Sequence, residues 1–134
     1  MKEAVFMKHY VCKHCGNLVA MVNDTGRNIG CCGENMREIT PSAISEVKEK
    51  HTPRVEKCGD TVKITVGSAD ALHPMLPNHA IAWVCLVTTE GSQRKKLKPD
   101  GHAVAEFRLC KGDEPIKAFA YCNVHGLWVT ECKC

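Results

Sequence analysis

The sequence predicts an all-β protein with two parts: a small metal-stabilised N-terminal domain (residues 1–38) and a larger antiparallel β-sandwich (residues 39–134). Two observations support this prediction. Four of the ten cysteines lie within the first 32 residues, where apolar side chains are few. Beyond residue 50, short apolar segments alternate with turn residues, which is typical of a sandwich of about seven strands. We therefore expect very little helix.

The first domain is too short to be held together by apolar burial alone. A unit of fewer than about 40 residues usually needs a metal or disulfides, and the main apolar stretch here is confined to residues 18–22. The boundary is predicted at residues 39–43, where Pro41 ends any preceding regular structure. Ser42 is a candidate N-cap for one short helical turn that reaches Val47.

Strands dominate the predicted second domain. In residues 61–66 apolar and polar side chains alternate strictly, which places Val62, Ile64 and Val66 on one face. Residues 80–88 are almost continuously apolar, as expected of a central strand. Further strands are predicted at residues 103–109, 116–121 and 127–130, with turns at residues 67–68, 74–77, 90–92, 99–101 and 111–113.

Composition and charge exclude several classes of protein. An apolar fraction of 44% with 25% charged residues is that of a folded globular protein and not of a disordered chain. The longest apolar run, residues 80–87, is far shorter than the roughly 20 residues that cross a bilayer. A net charge of +3 is too small to argue for a nucleic acid or membrane partner.

The cysteines are not expected to form disulfides. Residues 1–9 contain an acid and several bases where a signal peptide needs an apolar core, so we expect a cytoplasmic protein. In that reducing compartment, cysteines serve as metal ligands, redox groups or small buried side chains.

The first candidate site consists of Cys12, Cys15, Cys31 and Cys32. A C-x-x-C-G turn directs both sulfurs toward one point, and Gly16 tolerates the positive φ that such a turn requires. Four sulfurs suit zinc or iron, and the spacing does not distinguish the two metals. A covalent haem is excluded because glycine follows Cys15, and a thioredoxin-type dithiol lacks its βαβ unit. Because Cys31 and Cys32 are adjacent, both can bind one metal only if the backbone distorts.

The second candidate site combines four histidines with one cysteine: His51, His73, His79, Cys122 and His125. Prolines at positions 53, 74 and 77 stiffen the segments around three of the histidines. A C-x-x-H-G loop presents a thiolate and an imidazole to the same metal. Four imidazoles and a thiolate are too many ligands for tetrahedral zinc, and they fit a five-coordinate iron with one open position. Any one of these histidines alone would be an ordinary residue, as we expect of His9, His14 and His102.

Five segments of the chain closely resemble superoxide reductase. They are residues 49–53 (EKHTP), 63–67 (KITVG), 73–75 (HPM), 79–83 (HAIAW) and 120–128 (AYCNVHGLW), of which the last is the most specific. Together with the four-cysteine part, the whole chain resembles desulfoferrodoxin, the two-iron form of that enzyme. Thr52 departs from the pattern, since an apolar residue is expected there.

The resemblance implies two iron centres and an activity. It implies a desulforedoxin-like first domain with a rubredoxin-like Fe(Cys)4 centre at Cys12, Cys15, Cys31 and Cys32. It implies an immunoglobulin-like second domain whose iron takes four equatorial imidazoles and one axial thiolate, from His51, His73, His79, His125 and Cys122. The implied reaction is the one-electron reduction of superoxide to hydrogen peroxide without release of dioxygen.

Further roles also follow from the resemblance. Lys50 is expected to steer superoxide toward the iron, and Glu49 is expected to bind the ferric iron after turnover. The implied electron donor is rubredoxin or a similar protein, and the implied assembly is a homodimer. The four-cysteine iron is often dispensable in the family, so it serves either as an electron relay or mainly as a structural centre.

Three other functions stay open at this point: a zinc-binding interaction module without catalysis, an iron electron carrier and a superoxide dismutase. Five cysteines have no implied ligand role. Cys85 and Cys110 are expected to be buried or half-buried, Cys58 to lie in a turn, and Cys132 and Cys134 to be an ordinary tail or a minor redox or metal pair. The basic residues 94–98 are expected at a solvated hairpin tip, with an acidic partner as the alternative.

Overall fold

The chain divides into two compact units, Met1–Thr40 and Pro41–Cys134. The computed structural model describes residues 7–41, 51–67, 72–99 and 101–132 of them. The predicted boundary, after residue 38, lies just before this division. The helical turn predicted from Ser42 to Val47 falls outside the described residues.

The N-terminal unit is built from very short strands. They are β1 (His9–Val11), β2 (Leu18–Ala20), β3 (Gly30–Cys31), β4 (Glu34–Asn35) and β5 (Arg37–Ile39). Strands β2, β1 and β5 form an antiparallel sheet in that order, and β3 pairs with β4 as a separate hairpin. Among the described residues of this unit only His9, Cys12 and Met36 are buried. Such limited burial cannot hold a unit of this size without a metal.

The described part of the C-terminal unit contains seven strands. They are β6 (Pro53–Cys58), β7 (Thr61–Val66), β8 (Ile81–Thr88), β9 (Gly91–Lys96), β10 (Val104–Arg108), β11 (Pro115–Cys122) and β12 (Gly126–Glu131). One sheet has the order β10-β7-β6 and the other β12-β11-β8-β9, with every neighbouring pair antiparallel. In the described ranges no helix is long and apolar enough to cross a membrane.

One hydrophobic core joins the two sheets. The alternating side chains of β7 meet side chains from β8, β10 and β11 in a single buried cluster. Val62, Ile64 and Val66 are all fully buried, as their alternation predicts. The all-β fold class is therefore confirmed, with the sheets packed face to face as in an immunoglobulin-like sandwich.

The basic segment is not a hairpin tip, because residues 91–96 form the edge strand β9. Basic side chains protect an exposed edge from pairing with another chain. Two side chains of this strand also reach the free edge of β10 in the other sheet. Gln93 Nε2 donates to the carbonyl of Arg108 at 2.9 Å, and Lys95 Nζ donates to the carbonyl of Glu106.

The opposite edges of the two sheets are joined in a similar way. Thr130 Oγ1 of β12 donates to the carbonyl of Pro53 in β6 at 2.6 Å. Side chains therefore connect the sheets on both sides of the sandwich, although no backbone ladder crosses between them in the described residues.

Candidate metal centres

Four histidines and one cysteine lie at the same end of the sandwich. His51 lies two residues before β6, and His73 and His79 lie between β7 and β8. Cys122 ends β11, and His125 directly precedes β12. Because neighbouring strands are antiparallel, the start of one strand and the end of the next meet at one end of the sheet. The topology thus brings together residues that are as much as 74 positions apart.

The ligand atoms of this cluster converge on a small volume. His51 Nε2 lies 3.0 Å from His73 Nε2 and 3.1 Å from His125 Nδ1. Cys122 Sγ lies 3.4 Å from His73 Nε2 and 3.8 Å from His125 Nδ1. His79 completes the group, with one ligand atom each from His51, His73, His79 and Cys122 within 4.8 Å of one another. All five residues predicted for the second site therefore meet in space.

His73 shows how an imidazole is oriented toward the centre. Its Nδ1 lies 2.7 Å from the carbonyl oxygen of Pro74, which can only accept, so Nδ1 carries the hydrogen and Nε2 presents a lone pair. Burial, together with the neighbouring histidines, lowers the pKa of His73 to about 4 despite this hydrogen bond. The ring is therefore neutral at physiological pH. A neutral imidazole whose other nitrogen is bonded to a carbonyl is the usual form of a metal ligand.

The hydrogen bonding of the cluster is incomplete without a cation. His79 Nε2 is buried and has no hydrogen-bond partner among the described residues. His51 Nε2 faces two other ring nitrogens, and a single N–H cannot serve both with good geometry. A metal ion would accept all of these lone pairs, so the residues fit one. Four imidazoles with a thiolate suit iron better than tetrahedral zinc.

Neighbouring groups hold two of the ligands in place. The backbone N–H of His125 points to Cys122 Sγ at 3.4 Å, and this sulfur belongs to a fully buried side chain. Gly126 adopts a φ of +85°, which lets the chain turn sharply into β12. On the inner side, the Trp128 ring stacks on the His51 ring with centroids 4.9 Å apart.

Asn123 is part of this end of the sandwich although it was not among the residues predicted from the sequence. Its side chain forms hydrogen bonds with the backbone of Asn78 and Ala80, on either side of His79. An asparagine directly after a candidate ligand in a tight turn was the available signal, because Asn side chains often bond to nearby backbone groups.

The four N-terminal cysteines form the second cluster. Their sulfurs lie within 4.8 Å of one another, with Cys15 Sγ 3.6 Å and Cys32 Sγ 4.0 Å from Cys31 Sγ. The backbone distortion expected for adjacent ligands is present. Cys32 has a φ of +53°, a left-handed conformation that non-glycine residues rarely adopt. This conformation turns the Cys32 sulfur back toward the other three.

The electrostatics of the four thiols also favour a cation. Backbone N–H groups of Cys15 and then His14 outweigh burial and lower the pKa of Cys12 to about 6. The neighbouring thiols of Cys15 and Cys12 raise the pKa of Cys32 to about 12. The cluster thus favours one thiolate, at Cys12, whereas the neighbouring thiols disfavour a second negative charge at Cys32. A divalent or trivalent cation removes that opposition.

Glu34 supports the C-x-x-C turn from the β3–β4 hairpin. Its carboxylate pairs with Lys13 at 3.3 Å and with the ring of His14, the two residues between Cys12 and Cys15. All of these charged groups are partly exposed, so the pairs contribute little energy. They do show that His14 has a local structural contact and is not a ligand within the described cluster.

The other predicted residues have varied environments. Cys85 is fully buried as predicted, and burial raises the pKa of its thiol. Cys110 is exposed, contrary to prediction, because β10 ends at Arg108 and the chain enters a turn. Cys58 is exposed, and it is the last residue of β6 instead of part of the turn that follows. Cys132 is half-buried. Glu49, Lys50 and Cys134 lie outside the described residues.

Comparisons with known proteins agree with this geometry. The desulfoferrodoxin family model matches residues 43–131. The desulfoferrodoxin of Nitratidesulfovibrio vulgaris is 41% identical over 91% of this chain and 94% of its own length. The crystal structure of the superoxide reductase from Treponema pallidum superposes with a TM-score of 0.81 at 34% identity, covering 95% of this chain and 99% of that one.

A smaller relative matches about two thirds of the chain. The superoxide reductase (1Fe-SOR) from Giardia intestinalis gives a TM-score of 0.55 at 33% identity, covering 65% of this chain and all of its own. The two clusters described above match the iron centres of this group of proteins. From the family match, the identity over nearly the whole length and the two clusters, the chain belongs to the desulfoferrodoxin family.

Proposed function

We propose that this protein is a superoxide reductase. In the overall reaction superoxide takes up one electron and two protons and leaves as hydrogen peroxide. A bound ferrous iron would supply the electron, and an external donor would replace it. The observation that carries the proposal is the convergence of imidazole nitrogens and a buried thiol at one end of the sandwich. The likeness to the superoxide reductase from Treponema pallidum supports it.

Five residues would hold the catalytic iron: His51, His73, His79 and His125 through ring nitrogens, and Cys122 through sulfur. When bound, the iron would supply the electron and attract the substrate. The neutral imidazoles add no charge and the Cys122 thiolate adds one negative charge, so the ligands leave a ferrous centre with a net positive charge. That charge attracts an anionic substrate. Burial of Cys122 keeps water away from the sulfur.

Two further residues are assigned roles by resemblance. We place Lys50 next to the ligand His51 as the residue that steers superoxide to the site, and Glu49 as the residue that binds the ferric iron at the end of turnover. Loss of Glu49 would leave the ferric position open without abolishing the reaction.

The N-terminal unit would hold a rubredoxin-like iron through Cys12, Cys15, Cys31 and Cys32. We propose residues 1–38 as a desulforedoxin-like domain and residues 39–134 as the reductase domain, with rubredoxin or a similar protein as electron donor. A homodimer would help the N-terminal domain, whose described residues bury few side chains. A cytoplasmic location fits the described cysteines, all of which are free thiols.

The decisive experiment measures iron and products on anaerobically purified protein. We expect two irons per chain, a visible thiolate-to-iron absorption, and hydrogen peroxide from superoxide without dioxygen when a reductant is present. Dioxygen release in step with peroxide would identify a dismutase. An iron protein that makes no peroxide from superoxide would be an electron carrier, and a colourless protein with zinc alone would be a binding module. Any of these results contradicts the proposal.

A further inference from the structure

We propose that Asn123 is a positioning residue that fixes the turn carrying Cys122 relative to His79. Three hydrogen bonds carry this inference. Asn123 Oδ1 accepts from the N–H of Ala80 at 3.0 Å, and Nδ2 donates to the carbonyl of Asn78 at 3.2 Å. The backbone N–H of Asn123 donates to the carbonyl of Ala80 at 3.2 Å. The inference rests on the proposed function, in which Cys122 and His79 bind the same iron.

The positions of these bonds relate them to the ligands. Asn123 directly follows Cys122, whereas Asn78 and Ala80 stand on either side of His79. Each ligand lies in its own closed turn: Leu76 and His79 exchange two backbone hydrogen bonds, of 2.9 and 3.2 Å. Cys122 pairs with Gly126 at the start of β12. Asn123 therefore links the Leu76–His79 turn to the Cys122–Gly126 turn, each of which is already closed by its own backbone pairing.

The backbone ladder between β8 and β11 does not supply this link. Its register shifts between Tyr121 and Cys122, where Tyr121 pairs with Trp83 but Cys122 pairs with Ile81. A register shift leaves one residue unpaired and loosens the ladder locally. The hydrogen bonds of Asn123 lie directly beyond this irregularity, so they restore a fixed spacing where the ladder has lost it.

Only an amide of this length can form both side-chain bonds. Ala80 offers an N–H and Asn78 offers a carbonyl, so the bridging group must both accept and donate. Aspartate keeps the acceptor for Ala80 but places an oxygen against the carbonyl of Asn78. Alanine removes both bonds and leaves the backbone bond to Ala80. The two substitutions thus remove the link to different extents.

Asp113 provides a matched control at the opposite end of the same two strands. Its carboxylate accepts hydrogen bonds from Thr88 Oγ1 at 3.0 Å, Thr89 Oγ1 at 2.9 Å and the Glu90 N–H at 3.1 Å. It joins the loop before β11 to the turn after β8, as Asn123 joins the turn after β11 to the segment before β8. Asp113→Ala removes a comparable set of bonds far from the metal.

The test compares the iron-loaded wild type with Asn123→Ala, Asn123→Asp and Asp113→Ala. We measure the Cys122 thiolate-to-iron absorption, the rate of iron loss from that centre to a chelator, and Tm. Both Asn123 variants should shift the absorption band. Asn123→Ala should release this iron about tenfold faster, as is typical for loss of an outer ligand partner. The absorption of the four-cysteine centre should not change.

Asp113→Ala should lower Tm but keep the wild-type band and release rate. The inference is overturned if the Asn123 variants keep the wild-type band and rate, or if Asp113→Ala changes them equally. Should Asn123→Ala not fold, Asn123→Asp retains the Ala80 bond and gives the same readings. A wild-type protein without the thiolate-to-iron band would overturn the proposed function together with this inference, whereas unaffected Asn123 variants would overturn the inference alone.

Discussion

At the scale of single residues, the environment of Cys122 shows why this thiol differs from the others in the chain. Its side chain is fully buried, and its sulfur faces His73 Nε2 at 3.4 Å and the His125 N–H at the same distance. Exposed thiols such as Cys58 and Cys110 have no comparable convergence of nitrogen atoms among the described residues. Burial, a backbone donor and adjacent imidazoles together suit a metal-bound thiolate.

Replacing Cys122 by serine should therefore abolish the thiolate-to-iron absorption of this centre. Activity should fall by at least about 100-fold, since losing a direct ligand costs more than losing an outer partner. The absorption of the four-cysteine centre should remain, and it serves as the internal control. Visible spectra and superoxide reduction assays check both expectations. Retention of the band and the activity would refute the ligand assignment.

Lys50→Ala should slow the reaction with superoxide by on the order of tenfold at low salt, with a smaller effect at high salt, because ions screen the attraction. Pulse radiolysis or stopped-flow kinetics over a range of ionic strength measure this change. Lys111→Ala is the matched control, because it removes the same charge from an exposed turn beside Asp113, at the opposite end of the sandwich. Equal effects of both substitutions would mean that only net charge matters and that Lys50 does not steer.

The residues of the histidine–cysteine cluster could be predicted from the sequence, whereas the backbone partners of Asn123 could not. Cys122 and His125 belong to a motif whose residue types have few other reasons to occur together at that spacing. Asn123 acts through the backbone of Asn78 and Ala80, some 43 to 45 positions away, and only the paired strands bring these groups together. Sequence spacing carries no information on such long-range backbone contacts.

At the scale of strands and turns, the alternation of apolar and polar side chains predicted some strands well and others not at all. β7 occupies residues 61–66 as predicted, because its alternating valines and isoleucine point into the core. β9 was missed because its sequence, GSQRKK, is polar throughout. An edge strand of that kind is held by its neighbour and by its contacts, not by an apolar face. β6 was missed for a related reason, since only Val55 and Pro53 face inward.

Asp113→Ala should make the stability of the sandwich less dependent on pH. Burial tends to raise the pKa of Asp113, but hydrogen bonds from Thr89, Thr88 and the Glu90 backbone outweigh it and lower the pKa below its ordinary 3.8. Because the pKa of Asp113 is lower in the folded state than in the unfolded state, the carboxylate stabilises the fold at pH values above 3.8. That contribution is lost as the pH falls through the folded-state pKa.

We therefore expect Tm to be higher for the wild type than for Asp113→Ala at neutral pH, with the difference narrowing in acid. Thermal unfolding of both proteins across this pH range, followed by circular dichroism, measures it. A Tm difference that stays constant as the pH falls would show that the charge of Asp113 does not contribute.

Gln93→Ala should destabilise the C-terminal unit by about 1 kcal/mol, the usual net value of one hydrogen bond. The side chain of Gln93 bonds to the free edge of β10 at the carbonyl oxygen of Arg108, so its loss leaves that carbonyl to solvent. Urea unfolding gives the free energy. Ser92→Ala, on the same edge strand, is the control and should have little effect. Equal stability of Gln93→Ala and the wild type would show that this contact between the sheets is not stabilising.

At the scale of the whole molecule, the two units differ in what holds them together. The C-terminal unit has a continuous apolar core shared by both sheets, whereas the described part of the N-terminal unit buries three side chains, His9, Cys12 and Met36. Its strands are two or three residues long. The N-terminal unit therefore depends on its metal, as small metal-binding domains do.

Removing both metals with a chelator should unfold the N-terminal unit while the sandwich stays folded with lower stability. The chain makes this easy to follow, because its two tryptophans, Trp83 and Trp128, both lie in the C-terminal unit. We expect the wavelength of tryptophan emission to stay that of buried rings, and Cys12, buried in the native protein, to become reactive toward thiol reagents. If the tryptophan emission changed to that of exposed rings at the same chelator concentration at which Cys12 became reactive, the two units would unfold together and the expectation would be wrong.

The positions of the five proposed ligands also have a mechanical consequence. His51 and His73 adjoin strands of the three-stranded sheet, β6 and β7, whereas His79, Cys122 and His125 adjoin β8, β11 and β12 of the other sheet. An ion bound by all five would cross-link the two sheets at one end of the sandwich. At the other end, the bonds of Asp113 lie within one sheet. A pulling force that separates the sheets should therefore open the sandwich from the Asp113 end and break the iron ligands last.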